Sequence, residues 1–313
     1  MVDPGDIREA ERRISGRVRR TPMMRAEALR RGGPGGLTLK LEFLQVSGSF
    51  KARGATNKVL SLPDDEVRRG LVTASGGNHG LGVAYAGWRA GVPTTIYLPA
   101  NTPEPKADQI RSWGAKVVRF GEVWDEANRE ALKAAERDGL TYIHAFADPV
   151  VVAGQGTVGL EIAEDAPGLS TVVVAIGGGG LISGVATAVK ALIPGVRVIG
   201  VEPVGAPTLY ESVRAGRVVE LERIATAANT LAPRRSDELN LAIVQALVDE
   251  IVLVTDEEMI EAARWLWQEL GIAAEMSAAA AVAAWLFGRV PGLEGEAGGE
   301  VCAVVCGAGT AGL

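Results

Sequence analysis

Short, continuously apolar segments alternate with helical segments along most of the chain, and this alternation constrains the fold more than any other feature. The apolar segments are rich in Val and Ile. Strands that are apolar along their whole length are typical of parallel sheets covered by helices on both faces. We therefore predict an α/β fold. The predicted strands are Leu37–Phe43, Leu71–Ala74, Thr94–Leu98, Lys116–Phe120, Leu140–Ile143, Val172–Ile176, Val196–Val201, Ile251–Val254 and Val301–Val305.

The helical segments carry recognisable signals at their ends. Thr255 as the N-cap and Glu258 three residues later form a capping box, which predicts the start of a helix. That helix ends at Leu270, because Gly271 is a suitable residue to terminate it. The longest irregular stretch follows Leu221, and long loops in compact domains are often functional. Further helices are predicted over Ile7–Val18, Trp124–Asp138 and Leu181–Leu192.

Composition excludes several classes of protein. The 313 residues are 47% hydrophobic and 22% charged, which is enough apolar material for a substantial core. The net charge of −6 disfavours a nucleic-acid partner. The chain contains no apolar run of the roughly 20 residues that span a membrane, and its charged start lacks a signal-peptide core. We therefore expect no membrane association and a cytoplasmic location. Cys302 and Cys306 are too few for a disulfide framework or a zinc site.

Four consecutive glycines, Gly177 to Gly180, follow one predicted strand and open a helix. Their backbone approaches a ligand closely, and the N-terminus of a helix favours an anion. No Gly-Lys-Ser/Thr follows, so this is not a P-loop, and the third glycine of the dinucleotide fingerprint is missing. Glu202, at the end of the next strand, keeps a dinucleotide open as a weaker alternative. We predict a phosphate seat here, and a simple tight turn is the alternative.

Lys51 lies in the segment SGSFKARG, just past the first predicted strand. A lysine whose amine is deprotonated by burial forms Schiff bases with carbonyl compounds, whereas the alternative is a surface lysine at a helix start. Only seven of the 32 basic residues are lysines. Because Arg is not deprotonated in proteins, a lysine in a chain that otherwise uses Arg indicates a chemical requirement.

Two further glycine-containing segments follow strands. In ASGGNHG, Asn78 is suited to bind a ring hydroxyl or a carboxylate, and the backbone amides of Gly76 and Gly77 are suited to an anion. His79 has an alternative interpretation as a histidine that only pairs with the backbone. In CGAGT, Cys306 is suited to face a heteroaromatic nitrogen, and a small buried residue before a turn is the alternative.

Six motifs occur in the order found in fold-type II pyridoxal-phosphate enzymes, namely SFKARG, SGGNHG, AGQGTVGLE, GGGGLISG, GVEP and CGAGT. Over nearly its whole length the chain resembles the threonine/serine dehydratase and serine racemase family. The resemblance implies a fold like that of the tryptophan synthase beta chain, with two domains that each hold a twisted parallel sheet flanked by helices. It places a large cofactor-binding domain at residues 1–69 and 148–313, and a small mobile domain at 70–147.

The resemblance also implies pyridoxal 5'-phosphate as cofactor and assigns a role to each site residue. Lys51 is the catalytic Schiff-base lysine. The other cofactor-binding residues are Phe50 beside the ring, Asn78 at the 3-hydroxyl, Gly177, Gly178, Gly179, Gly180 and Leu181 at the phosphate, and Cys306 at the pyridine nitrogen. The substrate carboxylate is bound by the loop with Ser75, Gly76, Asn78 and His79.

Departures from the family pattern narrow the expected function. Gly76 stands where serine racemase-like members carry a serine that acts as acid and base, which disfavours racemisation. Thr208 stands where the family's divalent-cation site has an acidic residue. Glu202 and the backbone of Ala206 alone are a thin ligand set for a hard cation, so we predict no metal.

The resemblance implies a threonine/serine ammonia-lyase, which converts a 3-hydroxyamino acid to a 2-oxo acid and ammonia. The alternatives are an amino-acid (serine) racemase and a dehydratase for another hydroxyamino acid such as 3-hydroxyaspartate. A non-catalytic protein that binds a nucleotide or pyridoxal phosphate is the alternative from another class. We expect a small amino-acid substrate and a homodimer, and the sequence does not choose among the hydroxyamino acids.

Overall fold

The computed structural model describes residues 1–293 and 299–310, and these residues form two sheets. In the larger sheet β1 is antiparallel to β2, and the other neighbouring strands are parallel. All pairs in the smaller sheet are parallel. The larger sheet has the order β1 (Met23–Arg25), β2 (Leu37–Lys40), β10 (Val301–Val304), β7 (Thr171–Ala175), β8 (Arg197–Pro203), β9 (Glu250–Val254), and the smaller one β5 (Lys116–Arg119), β4 (Thr94–Leu98), β3 (Leu71–Ala74), β6 (Thr141–Tyr142).

Helices connect the parallel strands, as crossover connections require. Short 3₁₀ helices at 42–44, 46–48 and 229–231 lie in the loops. The α-helices of the described residues are α1 (Pro4–Ile14), α2 (Lys51–Ser61), α3 (Asp64–Arg69), α4 (Asn78–Ala90), α5 (Glu104–Ser112), α6 (Trp124–Asp138), α7 (Pro149–Asp165), α8 (Gly180–Leu192), α9 (Thr208–Ala215), α10 (Glu238–Leu247), α11 (Asp256–Leu270) and α12 (Met276–Leu286).

Several predicted elements are confirmed at their predicted bounds, among them β3, β4 and α6. The capping box of α11 is also confirmed, since Thr255 and Glu258 exchange hydrogen bonds with each other's backbone. Gly271 ends the helix in the left-handed region, with φ 67°. These elements were predictable because their signals are local.

Other predictions were wrong at the ends of elements. The first helix runs from Pro4 to Ile14 rather than from Ile7 to Val18, because Asp3 caps it. β2 ends at Lys40 rather than Phe43, since the chain turns there into a 3₁₀ helix whose first residue, Glu42, is buried. The edge strand β1 was not predicted at all.

The core of the larger sheet follows from its continuously apolar strands. All five residues of β7 are buried. Helix α12 is alanine-rich and buried along its whole length, and it packs against β7, β8, β9 and β10. Small side chains let this helix lie close to the sheet, while α7 and α8 pack tightly against each other.

A network of buried charged side chains ties the start of α2 to this core. The Arg53 guanidinium donates to Glu42 at 2.7 and 2.8 Å and to Glu161 at 2.6 and 2.8 Å. The Lys40 amine donates to Glu161 Oε2 at 2.6 Å. Burial raises the pKa of Glu161, but the hydrogen bonds and charge of Arg53 outweigh this effect and leave the pKa below its ordinary value. Two cations and two anions thus balance in a region closed to water.

The two sheets divide the chain in sequence. The smaller sheet is built from β3 to β6, and the strands of the larger sheet come from either side of that segment. A small domain of residues 70–147, mobile relative to residues 1–69 and 148–313, stays a proposal. Among the described helices, none is both long and apolar enough to cross a membrane.

Candidate active site

The turns singled out in the sequence all follow the carboxyl ends of parallel strands. One follows β3, one follows β7 and one follows β10, while Lys51 opens the helix that comes after β2. In open α/β sheets the crevice at this edge is the usual ligand site. The topology therefore brings together segments that lie far apart in the chain.

The loop before α2 places Lys51 beside the turn that follows β10. Ser47 and Gly48 have left-handed backbone, with φ 61° and 78°. Ser49 then pairs with Gly307, and the Phe50 N–H donates to the Cys306 carbonyl at 3.2 Å. Lys51 is the first residue of α2, so its side chain leaves the helix next to Cys306.

The Lys51 side chain is half-buried and its amine contacts the protein. It donates to the carbonyl oxygen of Ala145 at 2.7 Å and lies 5.2 Å from the centroid of the Phe50 ring. Burial lowers the pKa of Lys51 to about 8, which the charge of Cys306 would counter if that thiol ionised. An amine with this pKa is available in its neutral, nucleophilic form near neutral pH.

The glycine turn after β7 presents its backbone to the crevice. Gly179 is left-handed, with φ 94°, and α8 begins at Gly180. Within the described chain, the N–H groups of residues 177–182 donate no hydrogen bond. Such a run of free N–H groups at a helix N-terminus is an anion seat. The residues present therefore fit a phosphate group.

Neighbouring side chains hold the glycine turn in place. The Gly178 carbonyl accepts from Ser236 Oγ at 2.9 Å and from Asn240 Nδ2 at 3.0 Å. A Cβ at Gly178 would overlap the Phe146 ring, and a Cβ at Gly180 would lie 3.0 Å from the Cα of Phe146. Glycine is needed at these positions because Phe146 packs directly against the turn. Leu181, the next residue, is buried.

A second anion seat lies in the turn after β3. The N–H groups of Gly76, Asn78 and His79 donate no hydrogen bond within the described chain, and α4 begins at Asn78. The Gly77 N–H differs from the prediction, because it donates to Ser75 Oγ at 3.3 Å. Three free N–H groups at this helix N-terminus suit a carboxylate.

Gly76 has a neighbour that restricts its environment. A Cβ at this position would lie 3.1 Å from Cγ2 of Thr102, which is closer than a comfortable contact. The space beside the Gly76 backbone is therefore already occupied. No side chain at position 76 supplies a proton to this face of the crevice.

Asn78 is held by an acidic partner. Its Nδ2 donates to Glu275 Oε1 at 2.7 Å, and the Thr230 hydroxyl approaches the same oxygen at 3.5 Å. Burial raises the pKa of Glu275 even though these hydrogen bonds oppose the shift. The amide of Asn78 thus has a fixed orientation beside the turn after β10.

The His79 ring contacts the backbone rather than an open part of the site. Its Nε2 lies 2.9 Å from the Ile143 carbonyl, and the residue is 5% exposed. Burial, followed by the charge of Lys51, lowers the pKa of His79 to about 3. The imidazole is a neutral structural group bonded to the backbone, so only the backbone N–H of His79 is available to the anion seat.

Cys306 is enclosed beside Lys51 and Glu275. Burial raises the pKa of its thiol, and the charge of Glu275 raises it further. The thiol is therefore neutral across the physiological pH range. A neutral thiol is a weak hydrogen-bond partner. It does not protonate a pyridine nitrogen that faces it.

Both carboxylate oxygens of Glu202 already accept hydrogen bonds from the backbone. Its two carboxylate oxygens accept from the N–H groups of Leu209 and Tyr210, each at 2.8 Å. Burial raises the pKa of Glu202 to about 8. Glu202 therefore caps the N-terminus of α9.

The sequence reasoning missed residues 143–147, which connect β6 to α7 and contact several site segments. The carbonyl of Ile143 receives His79, that of Ala145 receives Lys51, and that of Phe146 receives Asn240 Nδ2 at 3.1 Å. These contacts use backbone carbonyls, which every residue type has, so the sequence does not indicate them. The one signal in the sequence was the second histidine, His144, directly after a predicted strand.

The site residues thus converge on one crevice. Phe50, Lys51 and Cys306 lie together, and Asn78 borders them because its Nδ2 is 3.1 Å from where a Cβ of Gly307 would stand. Thr230 links the two anion seats: its carbonyl would lie 2.8 Å from a Cβ at Gly177 and its methyl 3.7 Å from one at Gly77. An enclosed amine with an anion seat on either side fits a cofactor that carries an aldehyde and a phosphate.

Comparison with known proteins agrees with this chemistry. The family model described as "Pyridoxal-phosphate dependent enzyme" matches residues 14–307. An L-threonine ammonia-lyase of Thermotoga maritima is 43% identical over 91% of this chain and 71% of its own length. A catabolic L-threonine dehydratase, TdcB, of Staphylococcus aureus is 38% identical over 93% of this chain and 84% of its own.

Solved structures of similar shape include both dehydratases and racemases. The processed form of threonine deaminase isoform 2 from Solanum lycopersicum superposes with a TM-score of 0.90 at 36% identity, covering 97% of this chain and 83% of its own. Maize serine racemase superposes with a TM-score of 0.90 at 33% identity, covering 98% of this chain and 93% of its own. Overall shape therefore does not separate the two reactions.

Proposed function

The chain belongs to the family of pyridoxal-phosphate dependent enzymes, and from this premise we propose which amino acid it consumes and which residues carry the reaction. It is a pyridoxal-phosphate dependent ammonia-lyase of the threonine/serine dehydratase type. We propose L-threonine as its substrate, because relatives at 38–43% identity are named for that amino acid. The net reaction converts L-threonine to 2-oxobutanoate and ammonia.

The observation that supports this function most is that the Lys51 amine, with its lowered pKa, and two anion seats lie at the same edge of the fold. When bound, the cofactor supplies an aldehyde for attachment of an amino group and an electron sink for the electrons of a broken Cα–H bond. The free N–H groups of residues 177–182 would hold its phosphate. Lys51 would hold it covalently, Phe50 would pack beside its ring, Asn78 would meet its 3-hydroxyl, and Cys306 would face its ring nitrogen.

Substrate orientation is the proposed task of the turn after β3. The N–H groups of Gly76, Asn78 and His79 would bind the substrate carboxylate, with Ser75 shaping the turn through its bond to Gly77. A carboxylate fixed there leaves the rest of the amino acid to extend toward Lys51. Binding at a fixed point lowers the entropic cost of the step that follows.

Lys51 is the proposed general base. In its neutral form the amine would take the proton from Cα and become an ammonium, with the Ala145 carbonyl as hydrogen-bond acceptor. The ammonium would then give this proton to the departing β-hydroxyl, which leaves as water, and the lysine amine becomes neutral again. The enamine that remains hydrolyses to the 2-oxo acid and ammonia.

Elimination rather than racemisation is supported by Gly76. Racemisation requires a second group that delivers a proton to the opposite face of Cα. The residue at position 76 has no side chain, and Thr102 fills the neighbouring space. Thr102 is held by its own turn, with its N–H donating to the Pro99 carbonyl at 3.1 Å.

A cytoplasmic homodimer is also part of the proposal. Both cysteines, Cys302 and Cys306, are free and buried, which agrees with a reducing compartment. Light scattering of the purified holoenzyme measures the mass, and a value near twice 32.6 kDa is expected.

A substrate panel tests the proposed function. Purified protein with added pyridoxal phosphate is assayed for keto acid from L-threonine, L-serine and 3-hydroxyaspartate, and recovered amino acid is analysed for its chirality. We expect the highest kcat/KM for L-threonine and no accumulation of the D-isomer. If none of the three substrates yields keto acid, the proposed lyase activity is refuted. If the recovered substrate is racemic, the racemase is favoured.

A further inference from the structure

The ring of His144 stabilises the turn that follows β6. Its Nδ1 accepts the N–H of Phe146 at 3.2 Å and the N–H of Ala147 at 2.8 Å. Its ring meets the Phe146 ring edge to face, with centroids 4.8 Å apart. The imidazole therefore acts as a local cap for the segment that crosses from β6 to α7.

The peptide group between Ala145 and Phe146 links this cap directly to Lys51. The N–H of Phe146 and the carbonyl of Ala145 belong to one planar, trans unit and point in opposite directions. His144 Nδ1 holds the N–H end, and the Lys51 amine donates to the carbonyl end at 2.7 Å. The orientation of the peptide plane is thus fixed on both sides, and hydrogen bonds in series of this kind strengthen one another.

We propose that His144 is a positioning residue for the general base: by accepting the Phe146 and Ala147 N–H groups, it aims the Ala145 carbonyl at the Lys51 amine. This rests on the proposed function, in which Lys51 takes the proton from Cα. A lysine side chain has four rotatable carbon–carbon bonds, so a fixed acceptor reduces the positions open to its amine. The same carbonyl stabilises the ammonium that proton transfer creates.

The role requires a neutral imidazole. Nδ1 accepts two N–H groups, so the single ring proton of the neutral form lies on Nε2. Protonation of the ring would place a hydrogen on Nδ1 and break both bonds. Burial lowers the pKa of His144, and the charge of Lys51 lowers it further, whereas Asp237 and Asp148 raise it.

The sign of the pH dependence follows from that shift. Burial lowers the pKa of the facing histidine, His79, to about 3, so its ring is neutral and adds no charge near pH 6.5. Because the folded-state pKa of His144 lies below its ordinary value of 6.5, the cap is complete above pH 6.5. The cap is lost as the pH falls through the lowered pKa that His144 has in the folded protein. The rate of proton transfer by Lys51 should fall over the same pH range.

Three substitutions separate the acceptor from other properties of the ring. In His144→Asn the side-chain oxygen stands as many bonds from Cα as Nδ1, accepts the same N–H groups and does not titrate. In His144→Gln the oxygen lies one bond farther out, and in His144→Ala it is missing. Tyr142→Phe is the matched control, since it removes the hydrogen bond from the hydroxyl of Tyr142, two residues before His144, to Asn128 of α6 and leaves the turn intact.

We expect His144→Ala and His144→Gln to lower kcat on L-threonine by about tenfold or more, with KM changed less than about threefold. His144→Asn should restore kcat to within about threefold, with an acid limb at lower pH than in the wild type. The proposal is overturned if His144→Asn is as slow as His144→Ala, or if all variants keep the wild-type rate and pH profile.

Amide hydrogen exchange gives a readout that does not depend on turnover. In the cofactor-loaded protein, the peptide containing Phe146 and Ala147 should exchange faster in His144→Ala than in the wild type, and His144→Asn should restore protection. Equal exchange in all forms would contradict the cap. If the wild type consumes no hydroxyamino acid, the proposed function fails, while this contrast still decides whether His144 holds the segment.

Discussion

At the scale of single residues, the proposed reactivity of Lys51 comes from where its amine is enclosed. A lysine in water has a pKa near 10.4 and is almost entirely charged at neutral pH. Burial lowers the pKa of Lys51 to about 8, so about a quarter of the amine is neutral at pH 7.5. The sequence singled out this lysine as a candidate, but the carbonyl that receives it was not predictable, since Ala145 contributes only its backbone.

Chemical trapping tests the choice of Lys51 among the seven lysines. Borohydride fixes the cofactor to the lysine that holds it, and peptide mass mapping then locates the modified residue. We expect the label on the peptide containing Lys51, because burial lowers the pKa of its amine, whereas the amine of Lys40, which is also buried, is paired with Glu161. A label on Lys40 or on a surface lysine would contradict the assignment.

The glycine turn makes a second prediction at the residue scale. Gly178→Ala would place a methyl group on the Phe146 ring, so the turn or the ring must shift. We expect the cofactor dissociation constant to rise about tenfold or more, equivalent to about 1.4 kcal/mol or more. Cofactor titration followed by absorbance measures it.

Gly168→Ala is the control for this substitution, because a Cβ at Gly168 meets nothing within 4 Å and its backbone is not left-handed. Its cofactor affinity should match that of the wild type. Equal affinities for the Gly178→Ala and Gly168→Ala proteins would argue against phosphate binding at this turn.

At the scale of elements, the start of α2 is held by buried charged groups in addition to the apolar contacts of Ala52 and Ala55. Arg53 lies two residues after Lys51 and is 1% exposed, between two carboxylates. A buried pair is weak evidence for stability in itself, but removal of one partner leaves uncompensated charge. The network therefore makes the direction of α2, and with it the position of Lys51, sensitive to Arg53.

Arg53→Met should lower the free energy of unfolding by about 3–5 kcal/mol, since Glu42 and Glu161 lose their shared partner. Lys58→Met on the same helix is the matched control, and breaking its partly exposed pair with Asp148 should cost about 1 kcal/mol or less. Denaturant unfolding of both variants measures the difference. Equal losses would show that the buried network has no special weight.

The difference in stability between the wild type and Arg53→Met should depend on pH. The pKa of Glu161 is below its ordinary value, so its stabilisation is present above the unfolded-state pKa of about 4.3 and is lost as the pH falls through the folded value. Without Arg53, burial would raise that pKa, with Lys40 left to oppose the shift. The gap in stability between wild type and Arg53→Met should therefore narrow below about pH 4.5.

Element prediction from the sequence succeeded where the signal is local and failed where distant contacts decide. β3 and β4 are short Val/Ile/Thr-rich strands between turn residues, and they were predicted at their bounds. β1 is an edge strand of three half-buried or exposed residues, so no apolar pattern marks it. β2 ends early because Glu42 turns inward to meet Arg53, a contact invisible in local sequence.

At the scale of the whole molecule, the site exists because two sheets present their carboxyl edges to one crevice. The turn after β3 comes from the smaller sheet, whereas the turns after β7 and β10 come from the larger one. Residues 143–147 join them and contact both sides. The order of motifs in the sequence indicated the family, but this joining segment emerged only from the fold.

The central claim is that this crevice converts L-threonine to 2-oxobutanoate and ammonia with Lys51 as its base. The most direct measurement is the rate of 2-oxobutanoate formation by the wild type and by Lys51→Ala, each saturated with pyridoxal phosphate. We predict steady release of 2-oxobutanoate and ammonia in equal amounts by the wild type, and a rate at least about 1,000-fold lower for Lys51→Ala. No 2-oxobutanoate from the wild type, or similar rates for the two proteins, would contradict the account.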